Sequence, residues 1–283
     1  MNNILIDLYV MHWNEEKIVP LIMNYWDLLP LRKIFIIDNE STDNSLNLIK
    51  NKFQDKVEII TYKSNNEFDD INHMRIKNNI WKQYSIGKVD FVIISDFDEV
   101  VYHDNLINEL QYMKDNDYSI LNLTGVDLYF KEFPQYSDKL LHTYNDCRFL
   151  INERYGKLVL FNPNLIESMQ YDVGQHYCKP VGTVKIYNCN AILFHAKNLS
   201  AEYISTRNNI LGKRLSALNN RFKLGFHYLK TIDEAINEFN VNYEKTTDNF
   251  KWKLLIYLDG PRYWQKYIRS RIICKNETIT DIT

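Results

Sequence analysis

Four short apolar runs, Ile4 to Val10, Lys33 to Ile37, Val57 to Tyr62 and Val89 to Ser95, alternate with segments whose apolar residues recur at helical spacing. This alternation constrains the fold more than any other feature of the sequence. Runs that stay apolar through their centres suit strands buried on both faces, and such strands with helices between them predict a mainly parallel sheet, an α/β class. Asn14 is placed to cap a helix carrying Glu15, Glu16 and the apolar Ile18, Leu21, Ile22, Tyr25 and Trp26. Asp43 is the expected cap of a second helix, and residues 67–85 and 104–115 are expected to form two more. Right-handed crossovers bring the carboxyl ends of the strands to one edge, where open α/β sheets bind their ligands. Three polar segments end there: His12-Trp13-Asn14-Glu15, Asp38 to Asp43, and Asp96-Phe97-Asp98-Glu99.

Beyond residue 115 the pattern changes. Short strands are expected at Ser119 to Leu123, Lys157 to Phe161, Thr183 to Tyr187 and Ala191 to Phe194, as mixed or antiparallel additions to the first sheet. From Ser200 the chain reads as mostly helical, with Thr231-Ile232-Asp233-Glu234 a capping box. The expected organisation is a catalytic domain over 1–199 and a helical extension over 200–283.

A length of 283 residues with 14% aromatic residues and only 8 Gly and 6 Pro excludes a disordered or low-complexity chain. The formal net charge of −2 argues against a broad nucleic-acid surface, which needs clustered cations. Four cysteines without CxxC spacing suggest neither a zinc site nor a disulfide framework. The first residues make a poor signal peptide, and no stretch reaches the roughly 18 apolar residues of a membrane span, so a cytoplasmic protein is expected. Residues 251–275 carry seven Lys or Arg against the single acid Asp259, interleaved with aromatics. That segment is expected either to dock on the sheet or to make a peripheral contact with anionic lipid at the inner membrane face.

The sharpest chemical feature is Asp96-Phe97-Asp98-Glu99 at the end of an apolar run. Crowded carboxylates repel, and a bound cation is one reason to keep them together. Alternate residues of an extended stretch point the same way, so Asp96 and Asp98 can share a ligand while Phe97 turns to the core. A solvated acidic turn capping the next helix is the alternative.

With Ile36-Ile37-Asp38-Asn39-Glu40-Ser41-Thr42-Asp43, Lys157 to Pro163, Gly174-Gln175-His176 and Leu193-Phe194-His195-Ala196-Lys197 following in order, the chain resembles the GT-A glycosyltransferases. The likeness is to the family 2 type and to glycosyltransferase family 92, over roughly residues 4–215. Glu40 stands where the family commonly has Gly. The resemblance implies a Rossmann-like GT-A sheet flanked by helices. It also implies a nucleotide-sugar donor, a UDP-sugar first, and a glycan or lipid-linked glycan acceptor such as a capsular polysaccharide or lipooligosaccharide. By analogy Asp98 would hold Mn2+ or Mg2+, with Asp96 on the ribose or the metal, Asp38 on the base, and His195 and Lys197 completing the metal and diphosphate contacts. His12 and Asn14 are expected near the donor or as structural residues. Asp172 and His176 are the candidates for the base of an inverting reaction, with Glu99 and Asp127 in reserve. Arg148, Arg154, Arg207 and Arg214 are further candidates for phosphate, the last two sharing a helix face at a separation of seven. Asp96-Phe97-Asp98 also resembles the first motif of haloacid-dehalogenase-type phosphatases, and a non-catalytic carbohydrate-binding module is a third reading.

Overall fold

The structure, a computed structural model, describes residues 4–134 and 147–248. The expected basic segment 251–275 and Cys274 lie outside the described residues. The first half alternates β1 (Ile6–His12), α1 (Val19–Trp26), β2 (Leu31–Asp38), α2 (Ser45–Phe53), β3 (Val57–Thr61), α3 (Asp70–Tyr84) and β4 (Phe91–Asp96). These strands pair in parallel in the order β3-β2-β1-β4. The two faces of β1 explain why its run is apolar throughout. Ile6, Leu8 and Val10 pack with Ile18, Ile22 and Trp26 of the α1 side, while Tyr9 and Met11 pack with Phe35, Ile37 and Trp81 on the α3 side. Fully burying side chains of this size contributes roughly 1.5–3 kcal/mol each. Asp7 interrupts the run without being exposed, because Arg32 Nη2 and Ser85 Oγ donate to its carboxylate at 2.5 and 2.6 Å.

The second half comprises β5 (Glu99–Tyr102), α4 (Leu106–Asp115), β6 (Ile120–Tyr129), β7 (Arg148–Ile151), β8 (Leu160–Phe161), β9 (Ile166–Ser168), β10 (Val181–Gly182) and β11 (Ile186–Asn198). It ends with α5 (Ala201–Gly212), α6 (Ala217–Phe222), α7 (Ile232–Tyr243) and β12 (Thr247–Asp248). Antiparallel β8 joins β4 to β6, and the sheet runs β12-β7-β6-β8-β4-β1-β2-β3. β11 leaves this path, parallel to β6 and antiparallel to β5. The architecture is mixed α/β with a parallel core flanked by helices, consistent with a Rossmann-like GT-A fold. Among the described residues no helix is long and apolar enough to cross a membrane, and Cys147, Cys178 and Cys189 take part in no disulfide there.

Several local expectations shift. Asn14 does not cap α1, whose cap is Ile18; it takes a left-handed turn instead (φ 48°). Its side chain joins the loop after β2, donating to Thr42 Oγ1 and accepting from Thr42 N. Asp43 stands one residue before the α2 cap, Asn44, and accepts from Ser45 N. α3 starts at Asp70, three residues later than expected, because Asp69 accepts from the amides of Ile71 and Asn72. The two strands expected over 183–194 merge into one through Asn188, Cys189 and Asn190, with a register shift between Asn188 and Ile192. The Thr231 capping box forms as expected.

Candidate active site

The parallel register places His12 opposite Asp38, and Met11 opposite Asp96, at the carboxyl edge of the sheet. A cleft opens there, with about 1150 Å3 of empty space, its solvent-facing mouth included. The β1 and β4 ends, β11, α3 and α5 supply its walls, with two short 3-10 turns at Glu153–Tyr155 and Val173–Gln175 and a third at Phe226–Leu229. Of the expected site residues, His12, Asp96, Asp98, Asp172, His176, His195 and Lys197 line it, as do Glu99, Arg207 and Arg214. Asn14, Asp38, Asp127, Arg148 and Arg154 do not. Arg148 donates instead to Thr246 Oγ1 and O.

His195 is the hub of one wall. Its ladder partners are Glu99 on β5 and Asp127 on β6. Nδ1 lies 2.9 Å from Asp127 Oδ1 and Nε2 lies 3.4 Å from Asp98 Oδ2. Burial works against the charged imidazole, yet the two carboxylates outweigh it and raise the His195 pKa to about 10. Burial equally opposes the Asp98 carboxylate, which His195 nevertheless holds at about 2. The Tyr155 ring sits 4.4 Å from the His195 ring and 5.3 Å from that of His176, and Lys197 Nζ donates to its hydroxyl at 3.2 Å. Although burial opposes ionisation of that phenol, Lys197 and His195 lower its pKa overall.

Asp96 is held differently from the expected metal or ribose contact. Lys77 Nζ on α3 is 2.6 Å from one oxygen and Lys157 Nζ 3.1 Å from the other, with Lys157 also 2.5 Å from Glu99. The two ammonium groups outweigh burial and keep the Asp96 carboxyl far below the usual range. This engagement also shortens the strand expected over 157–161 to Leu160–Phe161, since Lys157 turns into the cleft. Phe97 lies beneath, 1% exposed, its ring edge-on to His12 and Trp26.

At the other end, Asp38 accepts from Ser41 N and meets His12 Nδ1 at 3.2 Å. These bonds outweigh burial and lower its pKa, and they commit the carboxylate to the turn after β2. Glu40, at the position where Gly is common, adopts φ 58° and accepts from Ser64 N and Asn66 N. Arg207 of α5 pairs with the buried Glu15. Among the described residues the partners of the Arg214 guanidinium are neutral: Asn66 O, Asn39 Oδ1, and the face of Trp13 at 3.4 Å.

Of the two base candidates, His176 donates from Nδ1 to Arg154 O, which leaves Nε2 as the acceptor, and burial lowers its pKa to about 3. Gly174 (φ 78°) makes room for that ring, since a Cβ there would stand 2.9 Å from His176 Cδ2. Asp172 accepts from Tyr177 N, and burial raises its pKa.

Ten buried side-chain polar atoms among the described residues lack a partner, and six belong to cleft residues: His12, Trp13, Glu15, Gln175, Asn208 and Arg214. Unpaired hydrogen-bonding capacity concentrated in one cleft is what a polar ligand uses. Asp98 Oδ2 and His195 Nε2 are the pair that would face a divalent cation, with Asp127 behind the ring, but only once His195 gives up the proton that now holds it to Asp98. Asp96 does not join them, and no group of three His, Cys, Asp or Glu side chains assembles around one cation position among the described residues. Sequence reasoning missed Lys77, Lys157 and Tyr155 as side chains of the cleft.

No protein-family model and no curated protein matches the chain. Solved structures similar to it include S. aureus TarS, at 12% identity and TM-score 0.41, over 73% of this chain and 40% of that one. A second is S. aureus TarS 1–349 in complex with UDP-GlcNAc, at 12% identity and TM-score 0.42, over 75% of this chain and 66% of that one. The 4-diphosphocytidyl-2C-methyl-D-erythritol synthase of Anaerococcus prevotii is similar at 5% identity and TM-score 0.33, over 57% and 71%. The chain thus spans less than half the length of the first of these structures.

Proposed function

We propose that the chain is a glycosyltransferase that moves a sugar from a nucleotide-diphosphate donor, a UDP-sugar first, to a hydroxyl of a glycan or lipid-linked glycan. The observation that carries this reading is the cleft's pairing of opposite demands. Asp98 would hold a cation, with His195 joining it on losing its proton, while Lys197 and Arg214 carry positive charge that no carboxylate within ion-pair distance neutralises among the described residues. A nucleoside diphosphate with a divalent cation meets both.

In the proposed reaction the acceptor oxygen attacks the anomeric carbon, the bond from that carbon to the phosphate oxygen breaks, and its electron pair leaves with the diphosphate. The acceptor proton passes to Asp172 or to Nε2 of His176, both of which line the cleft. Mn2+ or Mg2+ held by Asp98 and His195 would neutralise charge growing on the leaving diphosphate. Lys197 and Arg214 act on the same charge as fixed cations. Glu99 and Lys157 fix Asp96 so that its carboxylate presents one charge state to the donor.

Calorimetry with UDP, CDP and GDP, with and without Mn2+, tests the reading. At least one diphosphate should bind more tightly with Mn2+, and Asp98→Asn should remove that gain and lower sugar transfer by about a hundredfold or more. Absence of diphosphate binding in Mn2+ together with an indifferent Asp98→Asn variant would sink the proposal. Phosphate release from phosphomonoesters would favour a phosphatase.

A further inference from the structure

Four of the fourteen exposed large apolar side chains among the described residues fall within eleven positions: Phe222, Phe226, Leu229 and Ile232. Phe226 and Leu229 are the two most exposed of all, at 65% and 60%. They stand three apart on the 3-10 turn Phe226–Leu229, a spacing at which side chains eclipse and share a face. The same turn sends His227 and Tyr228 the other way, into the cleft. Gly212 lets the turn seat closely on α5, since a Cβ there would be 2.4 Å from Tyr228 O.

Charge between α5 and α7 is positive, whereas α7 itself opens with the exposed Asp233 and Glu234, and its Glu238 pairs with Lys230. From Tyr203 to Ile232 the sequence holds six Lys or Arg and no Asp or Glu. Arg207 and Arg214 are committed to the cleft, but Lys213, Arg221 and Lys223 are exposed and pair with no carboxylate among the described residues. Aromatic and aliphatic side chains standing out among unpaired cations match the two demands of an anionic bilayer surface, apolar insertion at the acyl boundary and attraction to headgroups. A soluble protein gains nothing from leaving such a cluster in water.

We propose that residues 213–232 form a docking surface for anionic lipid at the mouth of the cleft. The Phe226 and Leu229 side chains enter the interface while Lys213, Arg221 and Lys223 meet headgroup phosphates. This attachment does not depend on the transferase reading; taken together, the two place a lipid-borne acceptor beside His227 and Tyr228.

Flotation of the full chain with vesicles of phosphatidylcholine alone, or mixed with phosphatidylglycerol, tests the surface. The chain should partition onto the mixed vesicles. Phe226→Asp/Leu229→Asp should cut that partitioning by about tenfold or more, with melting temperature and nucleotide binding kept. Arg221→Glu/Lys223→Glu should remove the preference for anionic lipid. The proposal is overturned if the wild type shows no preference for the mixed vesicles. Unchanged partitioning of the folded Phe226→Asp/Leu229→Asp chain would overturn it equally, because the contact would then lie elsewhere. Self-association lost in that variant, with vesicle binding intact, would make the patch a protein contact and reject the lipid surface.

Discussion

Asp70 stands at the first turn of α3, its backbone N–H and carboxylate both bonded to Asn219 of α6, and it lines the cleft. Burial, with the Asp96 carboxylate adding to it, raises its pKa from 3.8 to about 6, against the pull of Lys77. The folded chain therefore binds this proton more tightly than the unfolded one. The resulting stability is fully present below about pH 3.8 and is lost as pH rises through about 6. Asp70→Asn, which keeps the size and an acceptor, should gain about 1–3 kcal/mol relative to wild type between pH 4 and pH 7. Urea denaturation at both values checks it, and a difference independent of pH would contradict the assignment. The site residues divide in the same way into readable and hidden. Asp98, His195 and Lys197 stand at the ends of apolar runs, so their place at one sheet edge follows from the strand pattern. Lys77, Lys157 and Tyr155 come from a helix and a loop with no such marker, and only the folded chain brings both lysines to Asp96.

Among the elements, β1, β2 and β4 were legible because parallel strands covered on both faces stay apolar along their length. β6 and β11 were only half legible, since Thr124, Gly125 and Asp127 in one and Asn188, Cys189 and Asn190 in the other break the apolar pattern. Their interruptions have structural reasons. Asn122 Nδ2 donates to Asn188 Oδ1 across the ladder, Asp127 bonds to His195, and Gly125 lies against the backbone of the Glu153–Tyr155 turn. A Cβ at Gly125 would stand 2.3 Å from Tyr155 C and 2.4 Å from Gly156 N, contacts that only a backbone shift relieves. Gly125→Ala should cost about 1–3 kcal/mol and, by moving Tyr155, weaken nucleotide binding as well. Thermal melting and calorimetry on one preparation would check both, and a variant with unaltered stability would show that the turn yields freely.

At the scale of the molecule, the helices after residue 200 are fastened to the sheet through charge as well as packing. The buried Glu15–Arg207 pair ties α5 to the loop after β1. Burial raises the Glu15 pKa to about 8 even beside Arg207, so in Arg207→Met the carboxyl takes up a proton and the loss should be about 1–3 kcal/mol, whereas Glu15→Gln/Arg207→Met leaves no ionisable group and should cost less. Purely additive losses in urea denaturation would show the two residues acting independently. The two walls of the cleft also differ in how they are held. At His195, β11 has ladder partners on both edges, Glu99 of β5 and Asp127 of β6, so that ring is set before any ligand arrives, with Lys197 just beyond it in the register shift before Asn198. Tyr155, Asp172 and His176 stand on or beside single 3-10 turns. A ligand entering between them meets an anvil on one side and a hand on the other: groups on β11 share the slow opening of the sheet, while the turns rearrange on the faster timescale of loops and can settle onto whatever β11 already holds.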